Sequence, residues 1–349
     1  MNIDTGWLDY LRTQGAQLAP DGEIEGFGST QRELGSALNS VALVALAHLA
    51  VLRVSGADAR SFLQAQLTSD LDAVSATIAG FSGYCTPKGR LLATPLVLMQ
   101  GHDYLLVLPR ALAEPLAARL ARYVLRAKVQ IGSDSELCLL GLVGPEAASA
   151  LEQSAGHAPR RSMEAISLAD AIAVAIPENR CLLVCRAADA QTWWSRLRTS
   201  AGPAGAGSWE VSGIRAAIAW VLPQTQELFL PQTLGLERYG AVSFSKGCYP
   251  GQEIVARTEY LGELKRRLCR GRSPTMAQAG DAIFALNGPP EAVGVVANAA
   301  PSPDGGVEVL AVVQRDSIQQ PLRLGEASGA PLILDGVTLS AAASRENSR

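Results

Sequence analysis

The strongest constraint on the fold of this chain is an internal repeat. LAVLRVSG at residues 49–56 has the pattern of a strand and precedes a helical pattern. LCLLGLVG at residues 137–144 precedes a second helical pattern, so that Gly144 takes the place that Gly56 has in the first copy. A chain that repeats strand and helix in this way is expected to fold as two similar modules.

A second pair of segments follows the same plan. YLLVLP at residues 104–109 and CLLVCR at residues 181–186 have strand patterns, and each leads into a helical pattern. Each half therefore has the order strand, helix, intervening strands, strand and helix. This order predicts an α+β fold with duplicated βαββαβ-type modules, antiparallel-rich sheets and helices packed on one face. Duplicated modules commonly bind a ligand where they meet, so we expect them to form the binding part of the protein.

The chain divides into five predicted parts. Beyond Gly271 the helical patterns give way to short β-rich runs separated by Gly, Pro, Asn and Asp, which predicts a small C-terminal β-barrel. The predicted parts are an N-terminal extension (1–40), a first α+β module (41–135), a second α+β module (136–270), the β-barrel (271–342) and a tail (343–349).

Composition restricts the class of protein. With 48% hydrophobic and 18% charged residues, the chain has the composition of a soluble globular protein. A formal net charge of −3 lacks the cationic excess of a nucleic-acid surface, so we predict no direct nucleic-acid contact. The longest apolar stretch, residues 41–52, is shorter than the ~20 residues that span a bilayer. Because Asp4 and Asp9 precede any apolar run, a signal peptide is not expected, and we predict a cytoplasmic monomer.

The cysteines and histidines do not follow the spacing of a metal site. The six cysteines include no CxxC pair, and the three histidines form no His-rich motif, so we predict no metal centre. Reduced and mostly buried thiols are the expected state. Phosphate-binding glycine patterns are absent as well, which argues against an ordinary ATPase or dehydrogenase.

KGCYPGQE at residues 246–253 carries the strongest chemical signal. Cys248 stands close to the ammonium of Lys246, and a neighbouring cation favours the thiolate, which is the nucleophilic and metal-binding form. Gln252 and Glu253 could supply an amide and a carboxylate to a heterocycle. The same residues also fit a plain loop whose glycines turn the chain and whose cysteine is inert.

These residues resemble a known family. The stretch at 246–266 closely resembles the signature of the YgfZ family, folate-binding relatives of the aminomethyltransferases, in which KGCY, GQE, VAR and a basic cluster recur. FLQAQLTSDL at 62–71 and YCTPKGRLL at 84–92 resemble two further family segments, a first-module helix and a turn between two strands. The region 209–236 matches as well. Together the matches run from about residue 45 to about 270.

The resemblance implies both a cofactor and a role. It implies that the chain binds tetrahydrofolate or a derivative, and that it assists the assembly or repair of iron–sulfur enzymes and so indirectly supports tRNA thiolation. The expected partners are folate and iron–sulfur enzymes or cluster-assembly proteins. The candidate catalytic residues are Cys248, as the functional thiol, and Lys246. The candidate folate-binding residues are Leu49, Trp209, Arg215, Tyr249, Gly251, Gln252, Glu253 and Arg257.

The chain departs from its relatives at several positions. Arg215 begins a stretch where many relatives carry Glu-Ala-Gly, and Leu49 stands where some carry a tryptophan. Aminomethyltransferases carry aspartates after the turn equivalent to PKGR, whereas residues 91–94 here are LLAT. Without such a carboxylate for acid–base work, an accessory factor is favoured over an enzyme. The alternatives are a folate-dependent aminomethyltransferase and a non-enzymatic scaffold for cluster-assembly partners.

Overall fold

The computed structural model describes residues 5–261, 264–286 and 288–338, and the predicted tail at 343–349 lies outside them. Its α-helices are α1 (Thr5–Thr13), α2 (Thr30–Asn39), α3 (Ala59–Gln64), α4 (Arg110–Ala121), α5 (Ala147–Ala155), α6 (Ala190–Leu197), α7 (Ala206–Arg215) and α8 (Gln252–Leu261). Its strands are β1 (Gln17–Leu18), β2 (Ile24–Gly26), β3 (Ala42–Ala45), β4 (Leu49–Ser55), β5 (Gly80–Phe81), β6 (Tyr84–Cys85), β7 (Leu91–Ala93), β8 (Leu96–Gln100), β9 (Asp103–Pro109), β10 (Gln130–Ser133), β11 (Leu137–Val143), β12 (Ala165–Ser167), β13 (Ala171–Ile176), β14 (Arg180–Arg186), β15 (Gly202–Ala204), β16 (Arg266–Ser273), β17 (Ala282–Ala285), β18 (Gly294–Pro301), β19 (Val307–Gln314), β20 (Leu322–Leu324) and β21 (Pro331–Thr338).

The chain forms two compact units that alternate along the sequence. The first unit consists of Met1–Arg60, Asp72–Ala79 and Leu96–Ala216, and the second of Ser61–Leu71, Gly80–Pro95 and Ala217–Arg349. The grouping follows the sheets and the barrel rather than the order of the chain.

The internal repeat is visible in the two main sheets of the first unit. One sheet has the order β10-β4-β9-β8 and the other β12-β13-β14-β11-β3-β15. In the first sheet, β9 pairs antiparallel with both β4 and β8. In the second sheet, β14 pairs antiparallel with both β11 and β13 in the same way. The shared order confirms the predicted α+β fold with duplicated modules.

The glycines that end the two first strands are structurally equivalent. Gly56 and Gly144 both have left-handed backbone conformations, with φ of +111° and +126°. A Cβ atom at Gly56 would collide with the carbonyl oxygen of Lys128, and one at Gly144 with that of Ser40. Both strand-to-helix turns therefore require glycine, because the backbone approaches another carbonyl too closely for any side chain.

The N-terminal segment contributes directly to the second sheet. β3 pairs antiparallel with β11, so that Ala42 lies opposite Val143, and β15 pairs in parallel with β3. In the first sheet, by contrast, the strand beside β4 is β10, which follows it in the same module. Trp7 and Leu11 of α1 are buried in the core beneath the second sheet. The described part of the predicted extension, residues 5–40, thus belongs to the first unit.

Aromatic rings fill much of this core. Trp194 of α6 stacks on Phe27, with ring centroids 5.6 Å apart, and meets the ring of Trp7 edge-on. Trp7 in turn stacks on Tyr10. Such pairs contribute about 0.5–1.5 kcal/mol each beyond their buried area, so the cluster fixes α1 and α6 against each other.

The C-terminal part of the second unit is a closed barrel, as predicted. Its strands follow the order β16-β19-β18-β17-β20-β21, and the barrel begins at Arg266, slightly before the predicted boundary. The interior is filled mainly by branched apolar side chains from these strands, among them Ile283, Val296, Val309 and Val313. Within the part of the chain that the structure describes, every helix is too short or too polar to cross a lipid bilayer.

Candidate functional site

The KGCYPGQE segment at residues 246–253 forms the turn that leads into α8 in the second unit. All six cysteines lie among the described residues, and Cys248 is the exposed one; the others are buried or half-buried. The thiol that the sequence singled out is therefore open to solvent, where a reaction partner can reach it.

Lys246 anchors this turn to the segment that follows α3. Its Nζ atom donates hydrogen bonds to the carbonyl oxygens of Gln64 at 2.6 Å, Leu67 at 2.6 Å and Ser69 at 2.8 Å. The same Nζ atom lies 5.2 Å from the centroid of the Tyr249 ring. An ammonium has three N–H donors, and three carbonyl oxygens are in position to accept them. Lys246, predicted as a catalytic cation, thus has the geometry of an anchor.

The segment at 62–71 is helical only at its start, whereas the family resemblance predicts a helix there. α3 ends at Gln64, and the chain then turns so that its carbonyl groups face Lys246. Thr68 is fully buried. Its hydroxyl donates to the carbonyl oxygen of Ala241 at 2.6 Å and accepts from the Gly83 N–H at 2.7 Å. The helix does not continue past this point because the Thr68 backbone N–H donates to the carbonyl oxygen of Gly83 at 2.9 Å, and not to a carbonyl one turn earlier.

The PKGR sequence forms the hairpin turn between β6 and β7, where the Thr86 and Gly89 N–H groups donate to the carbonyl oxygens of Arg90 and Thr86. Gly251 packs on this turn with φ of +83°. A Cβ atom at Gly251 would lie 2.5 Å from the carbonyl oxygen of Thr86 and 2.6 Å from Gly89. A Cβ atom at Gly89 would in turn lie 3.2 Å from the Cβ atom of Ile254 on α8. Two of the segments that carry the family resemblance are therefore in direct contact.

Two buried polar side chains near the start of α8 have atoms without hydrogen-bond partners among the described residues. The Tyr249 hydroxyl is one, and the side chain is 6% exposed. Burial, with a smaller contribution from Cys85, raises the pKa of Tyr249. The other is Oε1 of Gln232, a side chain that donates through Nε2 to the Val255 carbonyl at 2.7 Å. Sequence reasoning missed Gln232, although a glutamine within the apolar run LFLPQTL was a signal.

The remaining candidates of this group lie on α8. Gln252 is half-buried, whereas Glu253 and Arg257 are exposed and lie one turn apart on the same face of the helix. Tyr260 is an exposed aromatic residue on this face, and Ile254 is exposed on the adjacent side of the helix. The face therefore offers charged and apolar groups close in sequence to Cys248.

Three candidates lie in the first unit instead. Trp209 of α7 is 2% exposed, and the Arg180 guanidinium lies 5.0 Å from its ring centroid. A Cβ atom at Gly141 would lie 2.7 Å from the indole, so the ring packs directly on β11. Arg215 is half-buried at the end of α7. Leu49 lines a cleft with a volume of about 60 Å³.

The stretch where aminomethyltransferases carry aspartates is buried strand here. Leu91, Leu92 and Ala93 form β7, and Thr94 accepts a hydrogen bond from the Val221 N–H at 2.9 Å. These side chains carry no carboxylate. Within the described residues, no group of three or more His, Cys, Asp or Glu side chains is placed to hold a metal ion.

Known proteins resemble this chain in sequence. Residues 17–168 match the GCVT N-terminal domain. The tRNA-modifying protein YgfZ of Edwardsiella ictaluri (strain 93-146) is 33% identical over 271 residues, which cover 76% of this chain and 82% of the relative. The tRNA-modifying protein YgfZ of Escherichia coli O45:K1 (strain S88 / ExPEC) is 28% identical over 286 residues, which cover 80% of this chain and 88% of the relative.

A solved structure resembles the whole chain in fold. It is the glycine cleavage system aminomethyltransferase T from Bartonella henselae, with a TM-score of 0.78 and 16% sequence identity. The likeness covers 93% of this chain and 94% of the other. At this identity it establishes a GcvT-like fold.

Proposed function

Since the chain belongs to the YgfZ family of tRNA-modifying proteins and has a GcvT-like domain, we propose that it is an accessory factor for iron–sulfur enzymes. In this proposal it binds tetrahydrofolate or a derivative in the cytoplasm and supports the assembly or repair of enzymes that thiolate tRNA. The observation that carries the proposal is the exposed thiol of Cys248 on an anchored turn. A thiolate is both a nucleophile and a ligand for iron.

The chain's own residues divide the work in this proposal. Lys246 holds the turn through three carbonyl oxygens, and Gly251 packs it on the PKGR hairpin. The backbone on either side of Cys248 is therefore fixed while its thiol remains accessible. A thiol presented in this way can approach a damaged or half-assembled cluster without first ordering a flexible loop, which would cost conformational entropy.

A reduced folate fits the chemistry of the buried polar atoms near α8. The Tyr249 hydroxyl can donate or accept, and Oε1 of Gln232 can accept, whereas a pterin ring offers both N–H donors and acceptor atoms. Unpartnered buried polar atoms are costly, so a ligand that satisfied them would be favoured. When bound, the folate would supply one-carbon carrier chemistry. The residues Tyr249 and Gln232 would hold it.

Complementation tests the thiol. A deletion strain would receive the wild-type gene or a Cys248→Ser variant, and thiolated tRNA nucleosides would be measured by mass spectrometry. We expect the variant to lose most of the wild-type activity at equal protein level. Ser245→Ala, an exposed change in the same turn, is the matched control and should complement normally. Full complementation by Cys248→Ser would remove the thiol from the function and leave a scaffold as the better account.

Calorimetric titration with tetrahydrofolate under anaerobic conditions tests the cofactor. Binding by the wild type that weakens about tenfold in Tyr249→Phe would support the site near α8, because one hydrogen bond to a ligand is worth about 1.4 kcal/mol. Trp209→Ala tests the candidate in the first unit separately. If neither the wild type nor the variants bind, folate has no part in the mechanism.

A further inference from the structure

Cys138 and Cys185 are directly opposite each other on the neighbouring antiparallel strands β11 and β14. Opposed residues in an antiparallel pair project their side chains from the same face of the sheet. Directly opposed Cα atoms of antiparallel strands lie about 4.5–5.5 Å apart, which is within the roughly 4.4–6.8 Å that a disulfide spans. The register of the sheet thus places two thiols where a bond between them needs no backbone movement.

The two thiols already interact. The Cys185 Sγ atom lies 3.8 Å from the carbonyl oxygen of Cys138. A hydrogen bond with the Cys138 side chain, together with burial, raises the pKa of the Cys185 thiol. Cys185 is 1% exposed, whereas Cys138 is half-buried. Cys138 is therefore partly accessible to solvent, whereas Cys185 is protected beside it.

Small molecules can reach Cys138 through the cleft that it lines with Leu49 and Arg110. The cleft has a volume of about 60 Å³, and a water molecule needs roughly 10–15 Å³ of such space, so hydrogen peroxide can enter. The Arg110 guanidinium is fixed by hydrogen bonds to the carbonyl oxygens of Ala47 at 2.5 Å and Leu49 at 3.0 Å. It also interacts electrostatically with Cys138.

We propose that Cys138 and Cys185 are a peroxide-responsive pair that is oxidised to a disulfide across β11 and β14. The Cys138 sulfur attacks one peroxide oxygen, the O–O bond breaks, and a sulfenic acid and one water form. The Cys185 sulfur then attacks the Cys138 sulfur, the S–O bond breaks, and the disulfide and a second water form. The two thiols lose two electrons, the peroxide gains them, and both thiol protons leave in water. A dithiol reductant reverses the change.

This site is separate from Cys248 and does not depend on the proposed folate or iron–sulfur role. Cys181 offers a matched control, because it lies on the same strand and the same face as Cys185 but opposite Leu142. It is buried like Cys185 but has no thiol across the ladder. If cross-strand register decides the outcome, Cys181 will not form a disulfide under the same treatment.

The test is peptide mapping of the full reduced chain after stoichiometric hydrogen peroxide. We expect a linked peptide that joins Cys138 to Cys185, with loss of two hydrogens, and its disappearance on treatment with dithiothreitol. The linkage should persist in Cys181→Ser and Cys248→Ser and vanish in Cys138→Ser. In Cys185→Ser, dimedone should trap a sulfenic acid at Cys138.

Two results would overturn the proposal. One is a wild-type protein in which Cys138 and Cys185 both stay reduced while Cys248 is oxidised. The other is a Cys138 that oxidises but never links to Cys185. Peptide mapping of the wild type alone shows whether Cys138 links to Cys185, so the result does not depend on whether every variant folds.

Discussion

At the residue scale, the turn before α8 combines an anchored lysine with an exposed cysteine two positions later. Lys246 directs its ammonium to the carbonyl oxygens of Gln64, Leu67 and Ser69, whereas Cys248 stays exposed two residues later. A cation bound to three carbonyls holds a loop more firmly than an exposed ion pair does, because charge-assisted hydrogen bonds are stronger than surface salt bridges. Substitutions at the two positions should therefore affect different properties.

We expect Lys246→Met to lower the free energy of unfolding by about 2–3 kcal/mol, because hydrogen bonds to charged groups are worth about 1.5–3 kcal/mol and their carbonyl partners would lose a donor. Urea denaturation measures the change. Lys265→Met, at an exposed position, is the control and should change stability by less than about 0.5 kcal/mol. If Lys246→Met proves equally mild, the three hydrogen bonds do not anchor the turn.

Sequence alone could single out Cys248 as a candidate but could not predict the partners of Lys246. The signature KGCYPGQE is contiguous, so its resemblance to a family is visible in a short window. The carbonyl groups that bind Lys246 are 177 to 182 positions away, and backbone carbonyls have no side-chain identity that a sequence pattern could reveal. Gln232 was missed for a related reason, since its burial depends on packing against α8.

At the element scale, the start of α8 is fitted to the hairpin turn between β6 and β7. Gly251 combines a left-handed φ of +83° with a close approach to Thr86 and Gly89. Gly247 lies in the same turn, but a Cβ atom there would meet nothing within 4 Å. Substitutions at these two glycines therefore test whether stability depends on the close contact at Gly251 or on the presence of any glycine in the turn.

We expect Gly251→Ala to destabilise the protein by more than about 2 kcal/mol, because the new methyl group would clash with backbone atoms that cannot move aside and would require a strained φ. Gly247→Ala should change stability by less than about 1 kcal/mol. Thermal unfolding of both variants supplies the comparison. Equal effects at the two positions would mean that the contact with the PKGR turn is unimportant.

The sequence pattern predicted which strands are equivalent but not which distant strands pair with each other. Repeated apolar runs predicted β4 and β11 as equivalent strands, and their corresponding antiparallel pairing with β9 and β14 agrees with that relation. The pattern could not place β3, because its pairing of Ala42 with Val143 joins residues about a hundred positions apart and any apolar strand would satisfy the periodicity. The helix predicted at 62–71 ends early because the Thr68 backbone N–H donates to the carbonyl oxygen of Gly83, a partner outside the segment.

At the scale of the whole molecule, duplication explains why so much of the fold could be predicted. Because the strand and helix pattern occurs twice, each copy supports the secondary structure predicted for the other. The change to short β-rich runs beyond Gly271 predicts the barrel independently. What duplication could not predict is the alternation of the two units along the chain, which depends on the segments Ser61–Leu71 and Gly80–Pro95 leaving the first unit. Tertiary packing decides which unit a segment joins, and no local sequence pattern reveals it.

The free energy of unfolding should also depend on pH through the protonation of Glu210 in α7. Burial, with the charge of Glu23, raises the pKa of Glu210 to about 8 from an ordinary value of 4.5. Between these values the folded protein keeps a proton that the unfolded chain releases. The stabilisation is complete below pH 4.5 and is lost as the pH rises through about 8.

Glu210→Gln removes this dependence, because the amide is neutral throughout. We therefore expect the stability of the variant relative to the wild type to increase between pH 5 and pH 8, by about 2 kcal/mol once partial exposure of the half-buried side chain is allowed for. Urea denaturation at both pH values measures the difference. Glu291→Gln, at an exposed position, should give a difference that does not change with pH. A flat response for Glu210→Gln would mean that water reaches the carboxylate freely in the folded protein.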